Sequence, residues 1–526
     1  MLQLSGQDAS FVYFETAATP MHIGSVAIYD PSTAPGGAVR FKEILRFIEG
    51  RLGAARSFRQ KLVRVPFDLD HPYWIEDGDF DLEYHVRHIA LPKPGDWRQL
   101  CIQVARLHAR PLDLTKPLWE FWIVEGLDNI PGIPTGSFAL VSKVHHAAID
   151  GMSGVEMSSA VHDLDATSNR PVLPDNWSGE NPPGIGEIAV RTYISAIKQP
   201  FKFGQTLWNS IPGVARLGKQ VSAGEISLAG TKLAPQTRFN KKVSPQRVFD
   251  GTTFALAEIR AVKASVPGAT VNDVILSIIG GGMRAYLADK NELPKENMTA
   301  FAPISVRAEG EKEALGNLVS GMVVSLGTTV ADPLKRLEHV HKETLNSKAM
   351  TNAVGARTLT DYSQLVPSGL AGLGARLYTR LGVANAHAPV YSCVATNVPG
   401  SRVPLYFCSA KLVKMLGLGP VFDGMGLINT IYSYVDEIVI SFTCDRKMMP
   451  DPAVYAQCLH QAFEDLKASV ASAAKPASGK AKPAKTAPAK AGRAKAAPPA
   501  KAAPTAKPAP AKPAAKARPK TAKRKA

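Results

Sequence analysis

Residues with the chemistry of proton transfer stand together in one short segment, VSKVHHAAIDGMSG at residues 141–154. Two adjacent histidines, His145 and His146, are followed by Asp150 and Gly151. A neutral imidazole can take a proton from a bound alcohol, and general base catalysis of this kind is worth roughly 10² to 10⁴ in rate. A carboxylate can fix the loop through an ion pair, and glycine allows a tight turn. The segment is therefore a candidate site for proton transfer.

The pattern around the two histidines predicts a strand, a loop and then a helix. Phe138, Leu140 and Val144 share one parity of a loosely alternating run, as in a half-buried strand. The histidines are expected to point outward from the end of this strand. Ser153 and Glu156 match the S-x-x-E capping box, which predicts a helix from about residue 154 to residue 164.

Other chemistries are less consistent with this segment. His146 and Asp150 would share one face of a helix and could bind a metal, but the capping box places the helix start after them. No third ligand stands at close spacing. Two histidines packed in a loop without a chemical role are a second alternative. The chain also lacks G-x-S-x-G, a P-loop and a Rossmann fingerprint, which counts against a serine hydrolase and a nucleotide-driven enzyme.

The sequence HHAAIDG resembles the HHxxxDG signature of the coenzyme A-dependent acyltransferase superfamily, which also covers chloramphenicol acetyltransferase and peptide-synthetase condensation domains. Further segments narrow the resemblance to the bacterial wax ester synthase/diacylglycerol acyltransferase family. They follow one another between residues 4 and 465: LSGQDASFVYFETAATPMHIGS at 4–25, FDLEYHVRHIALPKPG at 80–95, PLW at Pro117, Leu118 and Trp119, VNDVIL with Asn272 and Asp273, PISVR at 303–307, and TNVPG at 396–400 with Asn397.

The resemblance implies a mechanism and roles for the residues of the segment. His146 would be the general base that deprotonates the hydroxyl of diacylglycerol or of a long-chain alcohol. The oxygen would then attack the thioester of a fatty acyl-CoA directly, with no acyl-enzyme. Asp150 would hold the loop through an ion pair with an arginine, for which Arg307 is a candidate. His145 and Gly151 would complete the catalytic segment.

The accessory motifs each allow a structural interpretation. The PLW motif at residues 117–119 is either the start of a strand with a packed tryptophan or a wall that contacts substrate. The ND motif at Asn272 and Asp273 is a candidate for binding substrate; it follows Thr270 and predicts a capped helix start, which is compatible with a position beside the active site. Asn397 is also a candidate for binding substrate, and it begins N-V-P-G, a composition typical of a turn. Arg402 is a further candidate, for a phosphate of coenzyme A.

Composition indicates a globular protein without a membrane span. The 526 residues are 45% hydrophobic with a mean hydropathy of −0.05, and no apolar run reaches 18 residues. The start of the chain carries no signal-peptide pattern. Five cysteines without C-x-x-C spacing indicate reduced thiols. The sequence thus predicts a cytoplasmic protein, peripheral to the inner membrane or to lipid inclusions, with acyl-CoA as substrate and no resident cofactor or metal.

The positive charge of the chain is concentrated in its last segment. Residues 471–526 hold 16 of the 62 Lys and Arg and none of the 45 Asp and Glu, so the first 470 residues carry 46 basic and 45 acidic side chains. The segment is rich in Ala, Lys and Pro, which predicts disorder. Such a tail would bind DNA or anionic lipid through its charge, or would serve only as a solvated extension.

The remaining chain divides by composition. We expect a first acyltransferase domain at residues 1–165 carrying HHxxxDG, a linker and crossover helix at 166–239, and a second acyltransferase-like domain at 240–470. The crossover region would pack on the body or present an amphipathic surface to lipid. Alternating strands and helices in both halves predict an α/β fold with mixed sheets. The family resemblance implies two domains shaped like chloramphenicol acetyltransferase, with His146 in a tunnel between them.

Two classes of function are compatible with these features. The first is an O-acyltransferase that makes triacylglycerol, wax ester or both. The second is a catalytically weak protein of lipid inclusions, or a nucleoid tether, on the same scaffold. The motifs do not describe the acceptor pocket, so the choice between diacylglycerol and long-chain alcohol stays open.

Overall fold

The computed structural model describes most of the chain up to residue 474. The described ranges are 2–66, 70–149, 153–167, 177–184, 186–188, 190, 193, 233–305, 319–354 and 388–474. They belong to one compact unit, Met1–Lys475, whereas the basic tail, Pro476–Ala526, is a separate unit outside the described residues.

The strands are short and mostly buried. In chain order they are β1 Leu2–Gln3, β2 His22–Asp30, β3 Gln60–Val63, β4 Tyr73–Glu76, β5 Val86–Ala90, β6 Trp119–Glu125, β7 Phe138–His145, β8 Arg247–Ala255, β9 Thr299–Ser305, β10 Val319–Ser325, β11 Cys393–Pro399, β12 Tyr406–Phe407, β13 Ala410–Leu418, β14 Leu427–Tyr434 and β15 Glu437–Asp445.

Helices alternate with these strands in both halves of the chain. They are α1 Gly6–Phe14, α2 Phe41–Glu49, α3 Leu82–His85, α4 Trp97–His108, α5 Ser153–Val161, α6 Leu256–Lys263, α7 Val271–Asp289, α8 Pro333–Val354 and α9 Pro452–Ala474.

Two six-stranded mixed sheets form the framework. The first, in the order β12-β13-β2-β7-β6-β5, is antiparallel except for the parallel pair β5 and β6. The second, in the order β10-β9-β11-β14-β15-β8, is parallel only where β11 meets β9 and β14. The fold is thus α/β with mixed sheets, as the sequence predicts.

Each sheet buries its apolar faces against helices. The first sheet has α1, α2 and α5 on one face, where Phe121 and Leu140 lie in the core, and α4 on the other, where Val124 and Val141 are buried. The second sheet packs on α6, α7, α8 and α9. This alternation of inward side chains follows the two-residue period of the strands.

The C-terminal half contributes to the first sheet. Strand β13 pairs with β2 from Leu418 opposite Gly24 to Lys411 opposite Asp30, with an irregularity between Leu412 and Lys414. The sheet that carries His145 therefore contains strands from both halves of the chain. Strands β12 and β13 at one edge of this sheet belong to the third predicted segment, residues 240–470, whereas the other four strands belong to the first, residues 1–165.

Three expectations need correction or lie outside the structure. The predicted turn beginning at Asn397 is wrong, because Asn397 to Pro399 continue β11 in parallel register with Ile431 to Ser433. Helix α9 continues to Ala474 and so past the expected domain end at residue 470. Most of the expected linker and crossover helix lies outside the described residues.

No helix in the described part of the chain combines the length and apolarity needed to cross a membrane. All five cysteines are free thiols.

Strand β2 tolerates no side chain at Gly24, because a Cβ there would overlap the carbonyl oxygen of Ser142 on the neighbouring strand β7. We expect Gly24→Ala to lower the free energy of unfolding by about 1–3 kcal/mol, as overpacked sites do. Gly184→Ala is the matched control, since no atom lies within 4 Å of its added methyl group. Urea unfolding of both variants measures the difference, and equal stabilities would contradict the tight approach of β2 to β7.

Candidate active site

The candidate site begins where β7 ends between β2 and β6. The N–H of His145 donates to the carbonyl of Leu118 at 2.9 Å, and the N–H of His146 donates to the carbonyl of Met21 at 2.8 Å. His145 lies opposite His22 in the β2 register. The backbone of both histidines is therefore fixed by neighbouring segments on each side.

His145 is fully buried, so the expectation that it points outward from the strand end is wrong. Its Nδ1 accepts from the N–H of Ala147 at 3.1 Å. In the neutral ring the proton must then sit on Nε2, which lies 3.3 Å from Oε2 of Glu15 without the alignment of a hydrogen bond. The other oxygen of Glu15 accepts from the N–H of Met21 at 3.3 Å. His145 thus turns inward, toward a carboxylate.

His146 opens a short 3₁₀ helix, His146–Ala148, and is only partly buried. Its imidazole stacks on Phe11 with ring centroids 3.8 Å apart and planes inclined by 11°. Its Nδ1 is buried and has no hydrogen-bond partner in the described structure. Burial lowers the pKa of His146 to about 4, so the ring is neutral at neutral pH. A neutral, partly accessible imidazole is the form that can accept a proton.

The rest of the predicted loop is not described. Asp150, Gly151 and Arg307 lie outside the described residues, and so do the side chains of the predicted capping box at residues 153 and 156. Helix α5 itself begins at Ser153, close to the predicted start. The ion pair of Asp150 with an arginine stays a prediction.

A different arginine–aspartate pair anchors the far end of α5. Arg51 Nη2 lies 2.7 Å from Asp163 Oδ2, and Arg51 Nη1 donates to the carbonyl of Ala160 at 3.0 Å. The Asp163 side chain is 3% exposed, and its backbone exchanges two hydrogen bonds with Tyr406 next to β13. The helix after the histidine loop is therefore held by both halves of the chain.

The PLW motif lies in the core. Pro117, Leu118 and Trp119 are all buried, and Trp119 begins β6. The indole N–H of Trp119 donates to the carbonyl of Phe58 at 2.9 Å, and its ring stacks on His85 at 4.6 Å. These contacts support the structural interpretation, in which the motif holds the strand that receives the N–H of His145.

The ND motif caps α7, as its spacing predicts. Asp273 is fully buried; its Oδ2 accepts from the N–H of Thr270 at 2.8 Å, and the Thr270 hydroxyl accepts from the N–H of Asp273 at 3.2 Å. His341 Nδ1 lies 3.0 Å from the same carboxylate oxygen. Asn272 is half-buried on the first turn. The carboxylate therefore joins the start of α7 to α8.

The other two candidates lie on the surface. Asn397 is exposed near the end of β11 and Arg402 is exposed in the following loop. In the described part of the loop, neither residue makes a hydrogen bond, ion pair or ring contact with His145 or His146.

A buried polar cluster beneath His145 was not recognised in the sequence. Lys143 is 1% exposed, and its Nζ lies 3.1 Å from Glu120 Oε2 and donates to the carbonyl of Arg110 at 2.9 Å. His22 Nε2 lies 2.7 Å from the carbonyl of His108. Burial lowers the pKa of Lys143, of His22 and, to about 3, of His108. The one available signal was Lys143, a lysine inside an otherwise apolar strand.

Phe11 and Glu15 were also missed as site residues, although they stand in the N-terminal segment that carries the family resemblance. They meet the histidines from about 130 residues away in the chain, a separation that no local pattern reveals. In the described part of the chain, no group of three or more His, Cys, Asp or Glu is placed to hold a metal ion.

Comparisons with known proteins agree on one family. The model of the wax ester synthase/diacylglycerol acyltransferase catalytic domain matches residues 4–275, and that of the family's C-terminal domain matches residues 315–467. A Mycobacterium tuberculosis protein, provisionally named a diacylglycerol O-acyltransferase, is 33% identical over 475 residues, or 89% of this chain and 99% of that protein.

Solved structures show the same fold. The wax ester synthase/diacylglycerol acyltransferase of Marinobacter aquaeolei matches with a TM-score of 0.64 and 26% identity, over 90% of this chain and 100% of that one. The first condensation domain of the CDA synthetase matches with a TM-score of 0.51 and 14% identity, over 90% and 96% of the two chains. The predicted two-domain fold of coenzyme A-dependent acyltransferases is confirmed.

The contact between Glu15 and His145 should stabilise the fold around the loop. We expect Glu15→Ala to lower the free energy of unfolding by about 1–3 kcal/mol, because it leaves the buried Nε2 of His145 without an acidic neighbour. Glu15→Gln should cost less, since its amide oxygen can still accept from the N–H of Met21 and its side chain still fills the same space.

Urea unfolding at neutral pH measures these effects. Glu49→Ala, at the exposed end of α2, is the control and should change stability by less than about 0.5 kcal/mol. If Glu15→Ala cost no more than Glu49→Ala, the contact would have no structural role.

Proposed function

Because the chain belongs to the wax ester synthase/diacylglycerol acyltransferase family, we propose that it transfers a fatty acyl group from acyl-CoA to a lipid hydroxyl. The acceptor is diacylglycerol, a long-chain alcohol, or both. The observation that carries the proposal is the position of His146, whose partly exposed imidazole directly follows β7 inside the matched catalytic domain. Acyl-CoA is a substrate in this reaction, so no resident cofactor is needed.

His146 acts as the general base. Its neutral ring takes the proton of the acceptor hydroxyl while the oxygen attacks the thioester carbonyl. The tetrahedral intermediate collapses, the carbon–sulfur bond breaks, and the thiolate of coenzyme A leaves with the proton that the imidazolium returns. The ester forms in one transfer within a ternary complex, and no residue of the chain is acylated.

The other predicted residues support this base. His145 fixes the turn through its bond to the N–H of Ala147. Asp150 and Gly151 are assigned to shaping the loop on the family resemblance alone. Because Trp119 and Asp273 are buried and bonded within the fold, we assign the PLW and ND motifs to positioning the surrounding strand and helix and not to direct contact with substrate.

The low pKa of His146 determines the pH dependence of this mechanism. A base with a pKa of about 4 is neutral through pH 6 to 9, so its ionisation does not limit the rate there. Activity falls only as the pH drops through about 4, where the ring becomes protonated before substrate binds. Because the unfolded chain has a histidine pKa of about 6.5, acidification also favours unfolding.

Location and further partners remain part of the proposal. Because the acceptors are lipids, we expect the protein to act at the inner membrane or at lipid inclusions. Residues 471–526 carry 16 basic side chains and no acidic ones. This charge favours an anionic partner for the tail, either DNA or anionic lipid. The competing assignment is a catalytically weak inclusion protein or nucleoid tether.

The variant His146→Ala distinguishes the acyltransferase from the catalytically weak inclusion protein or nucleoid tether. We expect release of coenzyme A from palmitoyl-CoA, with dioleoylglycerol or hexadecanol as acceptor, to fall by roughly 10² to 10⁴ because the general base is lost. His460→Ala, an exposed histidine on α9, is the matched control and should retain activity. The same assay over a panel of acceptors identifies the preferred one.

If the folded wild-type protein released no coenzyme A with any alcohol, the proposed acyltransferase activity would be rejected. Circular dichroism establishes that His146→Ala is folded, and unchanged turnover in that variant would reject His146 as the base.

Removal of the tail tests its proposed partner. Deletion of residues 476–526 leaves α9 intact and removes 15 basic side chains, so we expect unchanged turnover with loss of binding to DNA or to anionic vesicles. Co-sedimentation with phosphatidylglycerol vesicles and gel shift with duplex DNA, each at low and high salt, measure the two interactions. Equal binding by the truncated protein would exclude the tail as the contact.

A further inference from the structure

The N-terminal helix α1 packs directly against the short 3₁₀ helix that begins at His146. Helix α1 is fixed at its start, where the Ser5 hydroxyl accepts from the N–H of Asp8 at 3.1 Å. Its last two turns present Phe11 to the imidazole of His146. The two rings lie nearly parallel at a centroid separation of 3.8 Å.

This stack is the orienting contact that the described structure gives to the imidazole. Nδ1 of His146 is buried but has no hydrogen-bond partner among the described residues. The hydrogen bond from His146 N–H to the Met21 carbonyl fixes the backbone and not the ring. A histidine ring without a hydrogen bond can rotate about χ2, where the torsional preference is broad. A flat aromatic neighbour removes that freedom.

We infer that Phe11 is a positioning residue for the acyl transfer, which holds the ring plane of His146 so that Nε2 meets the acceptor hydroxyl. The inference rests on the proposed role of His146 as the base. We assign Phe11 no contact with substrate, and it acts through the imidazole on which it stacks.

The same contact affects the charge state of the imidazole. The phenyl ring excludes water from one face of the imidazole, and this burial contributes to the lowered pKa of His146. Phe11 therefore favours the neutral form of the base, which is the form that accepts a proton.

Among the described residues, few charged groups lie close to His146; Asp150 and Arg307 are outside that set. His145 precedes His146 and lowers its pKa, and Glu15 Oε2 lies 3.3 Å from Nε2 of His145. The acidic residue of α1 is Asp8, which accepts from the Ser5 hydroxyl at 2.6 Å. His22 on β2 stands opposite His145 and has a strongly lowered pKa. The apolar ring of Phe11 is thus the described neighbour that stacks directly on the imidazole.

Three substitutions at Phe11 separate its effects. Phe11→Ala removes the aromatic ring that stacks on the imidazole. Phe11→Leu keeps an apolar side chain there without a flat face, and Phe11→Tyr keeps the flat aromatic face. Phe14→Ala is the matched control, since Phe14 stands on the same helix with 49% exposure. We expect kcat to fall by about 10- to 100-fold for Phe11→Ala and Phe11→Leu, as for misplaced catalytic groups. KM should change little, and Phe11→Tyr and Phe14→Ala should retain near wild-type kcat.

The pH profile distinguishes positioning of the base from general loss of structure. In Phe11→Ala the pKa of His146 should rise toward 6.5, so kcat at pH 5.5 should be about tenfold below its own value at pH 8. Wild type and Phe11→Leu should lose little over that interval. The inference would be overturned if Phe11→Leu had the kcat of wild type. It would also be overturned if kcat of Phe11→Ala fell at the same acidic pH as kcat of wild type.

A direct titration makes the inference independent of turnover. The full-length protein with ¹³C- and ¹⁵N-labelled histidine is titrated by NMR, and the His146 signal is assigned by its absence in His146→Gln. A pKa that rises in Phe11→Ala supports the role of Phe11, and one that stays near 4 refutes it. Full turnover by His146→Gln would instead reject the proposed base while leaving the titration result intact.

Discussion

The antiparallel pairing of β2 and β7 is the constraint on which the site depends. Its register places His22 opposite His145 and Gly24 opposite Lys143. Side chains of a strand alternate between its faces, so a slip of one residue would move every one of them to the other side. Lys143 would then lose its Glu120 partner and enter an apolar core, which a charged amine tolerates poorly. The buried charges thus specify the register that delivers the histidines.

Both halves of the chain contribute to holding this register. Strand β13 covers the other edge of β2 with backbone hydrogen bonds. Arg247 at the start of β8 donates to the carbonyl of Ala18 at 2.5 Å, three residues before Met21, whose own carbonyl binds the N–H of His146. The loop that carries the base is therefore supported on one side by the N-terminal helix and on the other by the C-terminal sheet. Its geometry is a property of the whole compact unit.

The sequence predicted what local patterns can encode. The strand before the histidines, the start of α5 near Ser153 and the cap of α7 at Thr270 follow from side-chain period and capping chemistry, which act within a few residues. Asn397 was misassigned to a turn because N-V-P-G is typical of one. Among the described residues, β9 pairs with β11 only at Cys393 and Val394, so Pro399 lies beyond that pairing, where a missing N–H donor is tolerated.

What the sequence could not predict are contacts made across the fold. In the sequence, Glu15 is indistinguishable from the polar end of a helix and Phe11 from an ordinary apolar residue of α1. In the structure, Glu15 is a neighbour of His145 and Phe11 is a neighbour of His146. Likewise, Trp119 could have faced substrate or core, and only its bond to the Phe58 carbonyl decides between them. Such pairings depend on how the strands are ordered, which residue spacing does not determine.

The crossing strand β13 has a consequence for how the protein is made and shortened. Until residues 410–418 have emerged during synthesis, β2 presents an unpaired strand edge immediately beside the histidine loop. Exposed edges of this kind recruit other chains and lead to aggregation. Products that end before residue 410 should therefore self-associate through β2, and the N-terminal half cannot serve as a minimal enzyme by itself. Selection against such fragments would keep the two halves on one polypeptide.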